Sequence, residues 1–175
     1  MTTQIEPFER LPANATTRAV LRHMLATLAY RAAKVLRDVP ADFGASTFGE
    51  STRRPARIVA HMADLMAWGV TLARGEHTWT AGGGDDWNVE VTRFFDQLAA
   101  FDRELQALAP GAAEPVIQGP LADALTHVGQ LSMLRGMAGA PVRPESYARA
   151  EIVPGRTGRD QAPSRKEFDG DASAR

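Results

Sequence analysis

The chain has 175 residues, 44% hydrophobic and 23% charged, with 20 Lys and Arg against 21 Asp and Glu for a formal net charge of −1. That length suits one domain with a buried core plus a tail, and the balanced charge offers no basic footprint for nucleic acid or an anionic membrane surface. No cysteine is present, which excludes a disulfide framework, a thiol nucleophile and a thiolate metal site, so any metal must be held by His, Asp, Glu or water.

Residues 1 to about 14 are polar, carry Pro7 and Pro12, and read as a lead-in strap. They contain neither a basic stretch nor an apolar core of the kind that marks an export signal, and no run in the chain approaches membrane-spanning length. The expectation is a soluble, cytoplasmic protein. From about Thr16 to Val39, the spacing of Val20, Met24, Leu28, Ala32 and Val35 predicts a first helix, closed by Pro40. His23, Thr27 and Tyr30 form a polar stripe beside the apolar one. His23 is either a boundary residue or, if that stripe faces the interior, a group serving a site.

Residues 41–53 form a loop rich in Gly, Ser and Thr, with Phe43 and Phe48 expected to tuck it against the helices. No phosphate-binding glycine pattern is present, and that chemistry is set aside. A second helix is predicted from Pro55 to about Arg74, since proline suits a first turn. Along it Ile58, His61, Leu65, Trp68 and Leu72 step by three and four residues. His61 therefore faces the core, with Asp64 at the stripe's edge; taken by itself, His61 reads as a satisfied core histidine rather than a ligand. Residues 75–86 are a glycine-rich crossover in which His77 is solvated and Trp79 either covers an edge or shapes a pocket mouth. Asp86 is a suitable N-cap for the third helix. That helix has the cleanest pattern: Trp87, Val91, Phe94, Leu98, Phe101, Leu105 and Leu108, ended by Pro110.

Residues 111–119 connect to a fourth helix, with Gly119 at the cap, Pro120 in the first turn and Gly139 and Pro141 as the stop. Ala124, His127, Leu131, Leu134 and Ala138 describe its core face. Asp123 and His127 are four residues apart, so their side chains project from one side of successive turns. A carboxylate and an imidazole on an apolar stripe need a partner, because burying them unpaired is costly. Beyond Pro141 the charges alternate in sign, with Tyr147, Ile152 and Val153 as anchors. The segment to about Val153 is expected to drape on the bundle, and the chain from Gly155 to be extended or disordered.

The predicted architecture is all-α: a four-helix bundle over residues 1–140, followed by an irregular C-terminal extension over 141–175. His61, Asp123 and His127 are three ligand-type side chains on the core faces of two helices, which is how helix bundles build metal sites. Two histidines and one carboxylate leave coordination positions open, which suits catalysis or substrate binding. The competing reading of Asp123 is a negative charge in a helix's first turn, worth roughly 0.3–1 kcal/mol. Gln130, one turn past His127, is a candidate hydrogen-bonder to a ligand or a substrate.

The run from Arg54 through His61 to Trp68, a third helix bearing Trp and Phe, and the run from Thr126 through His127 to Arg135 resemble the DinB/YfiT-like family of metal-binding four-helix bundles. The likeness covers about residues 15–140. It implies one ligand histidine in the second helix and an HxxxH pair in the fourth. His61 matches the first of these and His127 the second histidine of the pair, while Asp123 stands where the pair's first histidine belongs. The resemblance further implies a divalent ion (nickel or zinc first, iron or manganese next), a homodimer, and a metal-dependent transferase or isomerase using a low-molecular-weight thiol on a small-molecule substrate. His23 and Tyr30 are then the candidate proton-transfer helpers. The alternative is a non-catalytic bundle that binds a metal or small ligand in a stress or scaffold role. Neither nucleic acid nor membrane is an expected partner.

Overall fold

The computed structural model describes residues 11–168. Most of the N-terminal strap, and the last part of the tail over 169–175, lie outside the described residues. Four long helices build the bundle: α1 (Thr17–Leu36), α2 (Pro55–Ala73), α3 (Trp87–Leu105) and α5 (Ala122–Met137), with a short α4 (Ala113–Val116) leading into the last. No strand occurs among the described residues beyond one isolated bridge between Glu145 and Glu167. The all-α bundle is as the apolar spacing predicts.

Helix ends follow local chemistry. The Thr16 side chain accepts from Ala19 N at 3.3 Å to start α1, Pro55 opens α2, and the Asp86 side chain accepts from Val89 N at 3.0 Å to start α3. Gly139 takes φ of +75° after α5, and Ala140 N and Gly139 N return to the carbonyls of Arg135 and Gly136 at 2.9 and 3.1 Å. This closing motif satisfies the last carbonyls, and it needs a residue tolerant of left-handed backbone. The carbonyls ending α1 are satisfied from α5. Buried Arg135 donates to Val35 O at 3.0 Å, Arg37 O at 2.8 Å and Asp38 O at 3.2 Å. A cation there also complements the negative end of the α1 dipole.

The core runs the length of the bundle, with Phe43, Phe94, Phe101, Met62, Leu98 and Leu131 fully enclosed. Phe43 and Phe48 tuck the loop against it, as expected. Of the expected stripe on the first helix, Leu28, Ala32 and Val35 are buried and Met24 partly so, while Val20 is exposed and Leu21 and Leu25 also turn inward. The reason is that α1 is covered on two sides: its Ala26–Tyr30–Lys34 side lies under the C-terminal extension.

The fourth helix departs most from the sequence reading. Pro120 does not open a helix. The chain is helical from Ala113 onward, and Ile117–Leu121 form a π turn that carries Pro120 inside it. A proline inside an α-helix removes one hydrogen bond and crowds the preceding turn, and widening that turn accommodates both defects. Gly119 is no cap either. A Cβ there would sit 2.6 Å from Cζ3 of Trp68, so the glycine lets α2 pack close to this turn.

The extension is anchored further than its composition suggests. Tyr30, Ala26, Ala150 and Ile152 form a second small core. Glu145 accepts from Tyr30 Oη at 2.6 Å, from Lys34 Nζ at 2.7 Å and from Ser164 Oγ at 3.0 Å, while Lys34 also reaches Glu167 at 2.7 Å. From Gly155 the described chain is irregular, in line with the extended reading, and it stays tied to the bundle through Glu167 to Lys34 and Arg159 to Thr92. Burial and the Glu145 hydrogen bond push the Tyr30 phenol up to about 12. Burial works against the Lys34 ammonium, but its two carboxylate partners outweigh it and the group is raised.

Candidate metal centre

Helix α2 starts at Pro55 and carries His61 near the end of its second turn; α5, entered through the π turn, carries Asp123 and His127 one turn apart. The three side chains converge. His61 Nε2 lies 3.5 Å from Asp123 Oδ2, and His127 Nε2 lies 3.4 Å from Asp123 Oδ1. One donor atom from each residue falls within 4.8 Å of the other two, so the group can hold a metal ion. Both Nε2–Oδ distances are longer than the about 2.7–2.9 Å of a charge-assisted hydrogen bond, and they run to different oxygens of the carboxylate, which lies between the two imidazoles.

The protonation of the site suits ligation. Gln130 Oε1 lies 2.7 Å from His127 Nδ1. With the amide oxygen as acceptor, this contact pairs with the Nδ1–H tautomer of His127, the form in which Nε2, on the Asp123 side, is available to a ligand. Burial lowers the pKa of His61, and the charges of His127 and Arg53 lower it further against the opposing pull of Asp123. Its neutral form is therefore favoured. Asp123 is in the first turn of α5, whose helical path continues back through the π turn to Ala113.

Two cavities meet at this group. One, of about 530 Å³, is walled by His61, His127 and Gln130 with Ile58, Met133 and Leu134, and its rim carries Ser51, Thr52 and Arg53. The other, of about 420 Å³, shares His61 and Arg53 and is bounded by Arg57, Asp64 and Trp79. Trp79 thus shapes a pocket mouth, its ring centroid 5.7 Å from that of His61 and 5.8 Å from that of Trp68. Asp64 is no ligand. It accepts from Arg93 at 2.6 Å and from Gly82 N at 3.1 Å, fixing the crossover loop. His77 stacks edge-on against Trp68, in the exposed loop.

The two expected helpers from α1 are elsewhere. Tyr30 is committed to Glu145 beneath the extension, and neither it nor His23 lines either cavity at the triad. Tyr30 turns toward the tail, which only the three-dimensional path of residues 141–168 reveals. Arg53 is the residue that sequence reasoning passed over. It sits in a loop with no motif, and nothing in its neighbours signals that it borders both cavities.

Comparison with protein-family models, with curated proteins and with solved structures returns no match.

Proposed function

We propose that His61, Asp123 and His127 hold a divalent ion, nickel or zinc in the first instance, in a bundle related to the DinB/YfiT-like family. Two imidazole nitrogens and one carboxylate oxygen form a borderline donor set suited to such ions, with iron and manganese next in order. On this reading the protein is a metal-dependent transferase or isomerase that uses a low-molecular-weight thiol. The observation that carries it is the meeting of three donor atoms from two helices at the junction of two cavities. A purely structural site would be closed on all sides.

A divalent ion bound there supplies Lewis acidity, lowering the pKa of a thiol or water beside it. The protein's own part is orientation and packing. Gln130 orients the His127 ring, burial favours the neutral form of His61, and Ile58 and Leu134 offer apolar surface against which one reactant packs. Two cavities sharing His61 give a thiol and an electrophile separate approaches. A homodimer is part of the same proposal. The outer face of α5 carries exposed Met137 and the small residues Gly129 and Gly136, with no exposed charge between residues 124 and 142.

The test is elemental analysis of untagged protein purified without a nickel column, beside His127→Ala. The expected result is about one divalent ion per chain, lost in the variant. Trp79, stacked near His61, provides a second readout, since nickel binding should quench its fluorescence. No uptake from zinc, nickel, manganese or iron would defeat the proposal, and stoichiometric metal without turnover across a thiol-transfer screen would leave a binding bundle.

A further inference from the structure

The larger cavity is chemically lopsided. One wall is apolar (Ile58, Met133, Leu134), while the rim carries the hydroxyls of Ser51 and Thr52 and the guanidinium of Arg53. Among the described residues, Arg53 is the one arginine lining this cavity; Arg57, in the neighbouring cavity, reaches Asp85 at 3.6 Å and Gly83 O at 3.1 Å, and Arg93 is held by Asp64 and Glu90. Arg53 forms no ion pair among the described residues. Gln130 spends its amide oxygen on His127, which leaves its NH₂ group as a donor in the same cavity. The space thus offers a planar cation, two hydroxyls and an amide donor together with apolar Ile58, Met133 and Leu134, and it is lined by the rings of His61 and His127.

We infer that this cavity is a subsite for a small carboxylate, with Arg53 binding the carboxylate group and Ile58, Met133 and Leu134 packing on its carbon chain. A guanidinium matches a carboxylate with two parallel hydrogen bonds, which a neutral or cationic isostere cannot form. About 530 Å³ accommodates a chain of several carbons. The inference names the substrate class for the metal centre proposed above and rests on that reading for its catalytic meaning. The carboxylate subsite itself needs only the cavity and Arg53. Arg53 is a specificity residue here: removing it should change which molecules bind, not whether the metal does.

The experiment titrates the full chain with hexanoate and with hexanamide, equal in length and differing in charge, by ligand-observed NMR. It is run on zinc-loaded protein and on protein stripped with EDTA, for wild type, Arg53→Gln, Arg53→Lys and Arg54→Gln, with metal content measured in parallel. Arg54 is exposed and lines neither cavity, so its variant controls for a general loss of positive charge. Arg53 is exposed too, so its replacement leaves the fold intact, which unchanged melting temperature verifies. The expected result is hexanoate binding roughly tenfold tighter than hexanamide. That preference should fall to within about twofold in Arg53→Gln, be partly retained in Arg53→Lys, and be unchanged in Arg54→Gln. Preference that survives Arg53→Gln in the zinc form but vanishes on stripping would place the carboxylate on the metal and overturn the inference. Absence of hexanoate binding, or equal affinity for both probes in wild type, overturns it as well. Retained Arg53-dependent preference in a chain that takes up no metal would uphold the subsite while removing the metal reading, so the two fail separately.

Discussion

Gln130→Leu isolates the contribution of one hydrogen bond to the proposed metal site. The Gln130 oxygen is 2.7 Å from His127 Nδ1, a short contact that fixes both the ring's rotation and its tautomer. Loss of such an orienting partner typically costs about 10–100-fold in metal affinity. The structure places this case at the low end. Gln130 is exposed, so water can take over as acceptor for Nδ1–H, though it cannot hold the ring as firmly. The expected loss is therefore about tenfold, or about 1.4 kcal/mol at 25 °C. Gln130→Glu should restore or exceed wild-type affinity, because a carboxylate acceptor raises the basicity of the imidazole. The assay is competition of zinc between the protein and a chelating dye, with the metal-free melting temperature as a control. If Gln130→Leu binds zinc within threefold of wild type while His127→Ala abolishes binding, the orienting role is refuted. If His127→Ala binds as well, the site itself is misplaced.

Three further outcomes concern the fold that holds the site. Glu145→Leu strips a buried carboxylate from Tyr30, Lys34 and Ser164; breaking such a pair costs about 3–5 kcal/mol. With Glu167 still reaching Lys34, the low end is expected, a fall in melting temperature of roughly 6–12 °C; an unchanged value would mean that the extension does not brace the bundle. Gly119→Ala and Gly129→Ala make the same chemical change with opposite results. The former drives a methyl into Trp68 at 2.6 Å and should destabilise by about 1–3 kcal/mol, whereas the latter meets nothing within 4 Å and should stabilise by about 0.4–1 kcal/mol. Thermal melts of the two variants decide this, and equal shifts would refute the close packing of α2 on the π turn.

The last outcome is a pH dependence. Tyr30 is raised from 10.0 to about 12, so the folded state holds its proton longer than the unfolded chain does. Its stabilisation is fully present below pH 10, and is lost as pH rises from 10 to 12. Lys34, also raised, acts in the same direction. Urea titrations across that window should show wild-type stability falling more steeply than that of Tyr30→Phe, which starts lower at pH 8. Parallel slopes would contradict the buried phenol.

Much of this protein is a matter of local pattern. Apolar residues at three- and four-residue steps make helices with one sticky face, so the bundle, the Asp86 cap and the Gly139 stop follow from neighbouring residues alone. The i, i+4 relation of Asp123 and His127 is equally local, because helix geometry places the pair on one side whatever surrounds it. What pattern cannot supply is the environment contributed by distant chain. Pro120 reads as a helix start, yet it lies within a π turn packed against Trp68 of another helix. Tyr30 reads as a group facing the site, yet a carboxylate 115 residues away claims it. Arg53 reads as an ordinary loop charge until the fold sets it beside His61, at the edge of two cavities. Periodicity states which side of a helix is buried; only tertiary packing decides what buries it, and so which polar groups are spent on structure and which are left for chemistry.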